Sequence, residues 1–246
     1  MTTIAANLQT VHTRLSAACL AAGRAVSSVQ LLAVSKTFPA QAVEAAQAAG
    51  QRAFGENYVQ EAVDKILALP RQRMEWHCIG PVQSNKTRLV AEHFDWMQSL
   101  DRLKIAQRMS EQRPAHLPPL QVCIQVNTDG GATKSGVPPA ELLALAQAVS
   151  ALPRLRLRGL MTIPEPQPDF AQACAVHRRA KDLFDRLNAQ GVGARHAVDG
   201  HERGSGSGGC GWQHHGAGRY CDLRRARGVT VSRWPARATS WVRRPA

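Results

Sequence analysis

Between residues 7 and 25 the apolar side chains Leu8, Val11, Leu15, Cys19 and Leu20 recur at helical intervals, which predicts an amphipathic first helix. The pattern then changes character. Residues 29–35 (VQLLAVS) form a short apolar run suited to a strand buried on both faces, and residues 39–49 form an Ala-rich helix closed by Gly50. This strand-then-helix unit repeats. Further strands are predicted over 53–56, 76–79, 96–100, 120–126 and 155–163, and further helices over 58–69, 86–93, 102–112, 138–150 and 170–189, with Pro70 stopping the helix before it.

Six alternating units with apolar strands imply an α/β protein whose parallel sheet is covered by helices. Closed on itself, such a sheet is a (β/α)₈ barrel of the TIM type, and two of the eight units are not legible. At 246 residues and 44% hydrophobic, the chain suffices for one such domain. No run of 18 apolar residues is present, and the opening MTTIAANLQTVHTRL is polar where a signal peptide is apolar, so a cytoplasmic protein with no membrane partner is expected. The six cysteines, at 19, 78, 123, 174, 210 and 221, contain no CxxC pair. Neither a zinc site nor a disulfide framework is indicated, and the cysteines are expected to be reduced and mostly buried.

Charge directs attention to the C-terminal fifth. The net charge is +13; residues 1–195 hold 22 Lys/Arg against 15 Asp/Glu, while the last 51 hold 9 against 3. All nine of those cations are Arg, and three of the five Trp lie there. After Gly191 the helical and strand periodicities stop. The genetic code accounts for this. With wobble bases chosen freely, His215 to Arg227 read one nucleotide later becomes Met-Val-Arg-Val-Gly-Thr-Ala-Ile-Phe-Gly-Ala-Arg, a strand and a turn. The same shift from Ala194 permits Leu-Asp-Thr-Leu-Ser-Met-Gly-Met-Ser and then a helix. Residues 1–193 are therefore read as the barrel domain, and 194–246 as a tail translated out of frame and expected to be disordered. A six-strand remainder is expected to expose open parallel edges, with poor solubility. A nucleic-acid surface built on Arg219, Arg224, Arg225 and Arg227 is disfavoured, because scattered Arg and Trp do not make a stacking platform.

Candidate chemistry begins at Lys36, which closes the first predicted strand in AVSKT. Active sites of barrels gather at the C-terminal ends of the strands, and a partly desolvated lysine there favours the neutral amine that attacks aldehydes, although position alone favours an ordinary solvated strand-end lysine. In FGENYVQE, Gly55 permits a tight turn and Asn57 is placed to cap the next helix. In WHCIGPVQSNK, His77 lies within a strand and Gly80-Pro81 turns the chain toward a helix opened by Ser84 and Asn85. Gln125 and Asn127 end the fifth strand, and Arg158, Gly159, Met161 and Thr162 occupy the sixth.

The succession AVSKT, FGENYVQE, WHCIGPVQSNK, IQVN with KSG (134–136) and LRGLMTIP resembles the pyridoxal phosphate homeostasis family across 1–193, and the out-of-frame peptides match that family's remaining segments. The resemblance implies an alanine racemase-like barrel that binds pyridoxal 5′-phosphate, with Lys36 holding the cofactor as a Schiff base and Asn57, His77 and Met161 beside it. It implies a monomeric protein of cofactor homeostasis with no catalytic residue, no metal and no nucleic-acid partner. The family's phosphate-holding turns have no matching position here. A racemase-like enzyme acting on amino acids is the alternative; it needs a second acid/base opposite Lys36, and Tyr58 is the one tyrosine before the tail.

Overall fold

A computed structural model describes residues 3–70, 74–128, 130, 135–164, 169–193, 196–199, 211–212, 221–222 and 229–233. Helix α1 (Ile4–Ala21) starts where the Thr3 side chain accepts from the Ala6 amide at 3.2 Å, a capping bond for an otherwise orphaned N–H. It ends earlier than the periodicity suggests. Gly23 turns with φ +64°, and the Arg24 amide donates back to the Cys19 carbonyl at 2.8 Å, closing the helix as a left-handed glycine does. Its buried stripe of Val11, Leu15 and Cys19 packs on Leu31.

The alternation then follows as expected: β1 (Val29–Val34), α2 (Ala40–Ala48), β2 (Ala53–Glu56), α3 (Val59–Ala68), β3 (Glu75–Cys78), α4 (Thr87–His93), β4 (Trp96–Leu100), α5 (Leu103–Gln112), β5 (Leu120–Gln125), α6 (Leu142–Ser150), β6 (Leu155–Thr162) and α7 (Phe170–Ala189). Helix α6 starts later than the predicted 138, because Pro138 and Pro139 lead into a turn closed by the Glu141 amide on the Pro138 carbonyl, 3.0 Å. Each strand from β1 to β6 runs parallel to the next.

Two findings correct the expectation of exposed edges. Strand β7 (His196–Asp199) continues the parallel sheet, pairing Gly159 with His196 through Thr162 with Asp199. Beyond β8 (Gly211–Trp212) and β9 (Cys221–Asp222), which pair with each other, β10 (Val229–Arg233) runs antiparallel to both β1 and β7 and closes the barrel at eight strands. A parallel eighth strand needs a crossover to bring the chain back to the same end; a strand of opposite direction does not. No strand-helix alternation surrounds these two strands in the sequence, although Val198, Val229, Thr230 and Val231 are residues that strands favour.

The main core lies between sheet and helices, where Trp76, Phe54 and Ile124 meet Ile66 of α3, Met109 of α5 and Val149 of α6. Arg113 is buried within it, its Nη1 donating to the carbonyls of Ala91 and Phe94 at 2.7 and 2.8 Å, which satisfies the C-terminal end of α4. A smaller cluster of Trp96, Cys123 and Met161 forms separately. Cys19, Cys78 and Cys123 are free and buried, and burial pushes the thiols of Cys78 and Cys123 up to about 12, as expected of structural cysteines.

Candidate functional site

Strand alternation sorts the side chains of β2 onto two faces. Phe54 packs against Trp76 in the outer core at 5.6 Å, and Glu56 reaches Lys65 of α3 at 2.8 Å. Gly55, between them, faces the other way: a Cβ there would lie 3.1 Å from Ile79 Cδ1 and 3.4 Å from Leu32 Cδ2. Val34, Gly55 and His77 are register partners across β1, β2 and β3. Two residues further toward the C-terminal ends stand Lys36, Asn57 and Ile79. The candidate residues thus fall on neighbouring levels at the mouth where barrels build their sites.

Lys36 does not close the strand as expected. Strand β1 ends at Val34, and Lys36 sits half-buried in a turn whose next residue, Thr37, has φ +66°. Asn57 is half-buried but is not the cap of α3; that position is Tyr58, with no side-chain capping bond. The Asn57 backbone instead receives Gly80, where a Cβ would come within 2.8 Å of the Asn57 Cα, so glycine is needed for this approach.

His77 is 3% exposed. Gln98 Nε2 lies 2.8 Å from Nδ1; an amide nitrogen only donates, so Nδ1 accepts there and Nε2 is the ring nitrogen left to donate. That Nε2 has no hydrogen-bond partner among the described residues and stands 3.8 Å from Glu75 Oε2. Burial works to raise the Glu75 carboxyl, but the His77 ring together with hydrogen bonds from Trp96 and Gln30 outweighs it and takes the carboxyl down to about 2.

Trp96 ties these groups together. Its indole N–H donates to Glu75, its ring stacks on His77, and Arg158 lies 5.8 Å from the ring centroid. Met161, 1% exposed, packs in the same cluster. The structure therefore joins His77 to Met161 through Trp96, a residue that sequence reasoning did not single out. Its role depends on the register pairing of His77 with Trp96, which no local pattern reports.

A second group was also missed. Lys65, 7% exposed, donates to the Ser35 carbonyl at 2.9 Å, to Glu56 Oε1 at 2.8 Å and to Glu61 Oε1 at 2.7 Å. Ser35 Oγ donates to the same Glu56 oxygen at 2.7 Å. The sequence held a signal: Lys65 adjoins Ile66 and follows Ala62 by three, so it borders the apolar stripe of α3. Gly136, with φ +114°, lies near the Asn127 amide, whereas Lys134 and the Arg residues at 219, 224, 225 and 227 lie outside the described residues.

The alanine racemase N-terminal domain family matches residues 3–198. A pyridoxal phosphate homeostasis protein of Pseudomonas aeruginosa is 58% identical over 188 residues, covering 76% of this chain and 82% of that protein. The chain belongs to the pyridoxal phosphate homeostasis protein family. Among solved structures, PipY of Synechococcus elongatus superposes with a TM-score of 0.69 at 36% identity, covering 78% of this chain and 85% of PipY. PipY has also been solved with pyridoxal phosphate bound, and that form superposes with a TM-score of 0.65. Alanine racemase of Clostridium difficile shares the fold, with a TM-score of 0.61 at 14% identity, this chain covering half of it.

The residues present fit the aldehyde side of pyridoxal phosphate. Lys36 offers a primary amine at the mouth, and the buried Nε2 of His77, without a hydrogen-bond partner among the described residues, is one level below it. The segment that follows β7 lies outside the described residues, so no phosphate-binding position is assigned.

Proposed function

We propose that this chain binds pyridoxal 5′-phosphate covalently through Lys36 Nζ and serves cofactor homeostasis in the cytoplasm as a monomer, without metal, membrane or nucleic acid as a partner. The reading rests on one observation: a half-buried lysine just past β1 at the C-terminal mouth, in a chain 58% identical to a protein named for pyridoxal phosphate homeostasis. The cofactor supplies an aldehyde carbon; a primary amine adds to it and water leaves. Lys36 supplies that amine. Asn57, beside it in the turn after β2, is assigned to orient the ring substituents, and His77 to present Nε2–H from below. Met161, on the apolar side of Trp96, excludes water. No described helix is long and apolar enough to cross a membrane.

The relatives are named for homeostasis rather than for a reaction, and we assign binding without turnover. Tyr58, which the racemase alternative would need, is 58% exposed. Titration with pyridoxal phosphate should produce a visible absorption band, and borohydride should fix the adduct to the peptide containing Lys36. Lys36→Ala should lose both. Retention of the adduct in that variant would sink the assignment, and racemisation of an added amino acid would favour the enzyme.

A further inference from the structure

Lys36 is gripped from outside the barrel by one turn of α3. The Ser35 carbonyl, which accepts from Lys65 Nζ at 2.9 Å, belongs to the peptide plane that precedes the Lys36 Cα. The Thr37 amide, which donates to Glu61 Oε1 at 3.1 Å, belongs to the plane that follows it. Peptide planes are rigid, so holding the two that meet at a Cα fixes both of its backbone torsions. Glu61 and Lys65 are themselves joined at 2.7 Å, four residues apart on the helix.

The remaining parts of the group serve the same end. Glu56, fully buried, accepts from both Ser35 Oγ and Lys65 through one oxygen, while its Oε2 has no partner among the described residues. A lysine ammonium has three protons, and here three acceptors take them. Removing the Glu56 carboxylate and the Lys65 ammonium from water is expensive, and apolar residues of like volume often serve stability as well or better. Thr37 is also held at φ +66°, unfavourable for a β-branched residue. An arrangement that is costly and strained, and that converges on the backbone of a single residue, is accounted for by what it does to that residue.

We infer that Lys65, with Glu61 and Glu56, is a positioning group that holds the backbone of Lys36 in the one orientation from which its amine meets the cofactor aldehyde. This rests on the assignment of Lys36 above. The expected consequence is specific: loosening the grip weakens ligands that must react with Lys36 and spares those that only fit the pocket.

The test compares pyridoxal 5′-phosphate with pyridoxine 5′-phosphate, which has an alcohol in place of the aldehyde. Two variants of the full chain are measured: Glu56→Gln/Lys65→Met, which removes the buried charges together, and Glu61→Ala, which alters a partly exposed side chain and leaves the core intact. Each should bind the aldehyde about tenfold more weakly, the effect of losing one charge-assisted hydrogen bond, and bind the alcohol as the unaltered protein does. Equal loss for both ligands, or no loss for either, would overturn the positioning role. If the unaltered protein shows no preference for the aldehyde, the assignment of Lys36 itself falls, and Lys36→Ala identifies that case by changing nothing.

Discussion

His77 lies nearly flat on Trp96, with ring centroids 5.3 Å apart and planes inclined by 12°. The stack fixes the imidazole plane, and the Gln98 bond to Nδ1 fixes which nitrogen is left to donate. His77→Phe keeps an aromatic surface for Trp96 but removes that donor. We expect pyridoxal phosphate affinity to fall by roughly tenfold, about 1.4 kcal/mol, with the visible band retained because Lys36 is intact. Equal affinity by spectroscopic titration would remove His77 from the site.

Gly80→Ala tests the approach of the β3–α4 turn to Asn57. The added methyl meets backbone rather than a flexible side chain, 2.8 Å from the Asn57 Cα, so one of the two turns must move. Overpacking of this kind costs about 1–3 kcal/mol. Chemical denaturation should show a loss in that range together with weaker cofactor binding, and an unperturbed variant would mean that the two turns do not touch.

Glu75 makes stability depend on acid. Its carboxyl stands at about 2 when folded, against an ordinary 4.5, so between those values the unfolded chain holds more protons and stability rises with pH. The contribution is complete above about 4.5 and disappears as pH falls toward 2. Glu61, lowered mainly by its hydrogen bond from Lys65, acts in the same direction. Glu56, raised by burial, acts in the opposite one, its ionisation above 4.5 opposing the fold. Unfolding followed from pH 5 to pH 2 should show a shallower decline for Glu75→Gln than for the unaltered protein; identical slopes would contradict the contacts of His77, Trp96 and Gln30 with Glu75 inside the barrel.

We propose that the coding frame changes near codon 192, which leaves residues 1–193 as the in-frame part of the barrel and 194–246 as an out-of-frame tail that supplies β7 and β10. The family match stops at residue 198, and residues 194–227 permit codons that, read one position later, encode a strand, a helix and a further strand. Sequencing codons 185 to 232 should show one base missing or extra. An uninterrupted match to the present codons would establish the tail as the genuine end of the barrel.

The six strand and helix units were legible because short, mainly apolar runs alternate with segments that carry a stripe at helical period, as in VQLLAV followed by AQAVEAAQA. What stayed hidden depends on pairing across the sheet. HAVD and VTVSR lie where the alternation of strands and helices has stopped, so β7 and β10 emerge only from their hydrogen-bonded partners. The lysine, asparagine, histidine and methionine of the candidate site are named in motifs, whereas Trp96 enters through register and Lys65 through burial. An i, i+4 Glu61/Lys65 pair also reads as a solvated helix face, and only the packing of α3 onto Ser35 distinguishes the two.

The seam between β1 and β10 joins Val29 to Arg233, some two hundred residues apart. Chain synthesis is directional, so the first strand to leave the ribosome receives its last neighbour only when nearly all of the protein exists. Until then one edge of β1 is an unsatisfied row of amides and carbonyls, the kind of edge on which separate chains add to one another. Ring closure over that span costs entropy that is recovered only at the end. The hazard of this barrel is therefore one of timing. Any pause or truncation before residue 229 leaves a nearly complete sheet with its oldest strand still open.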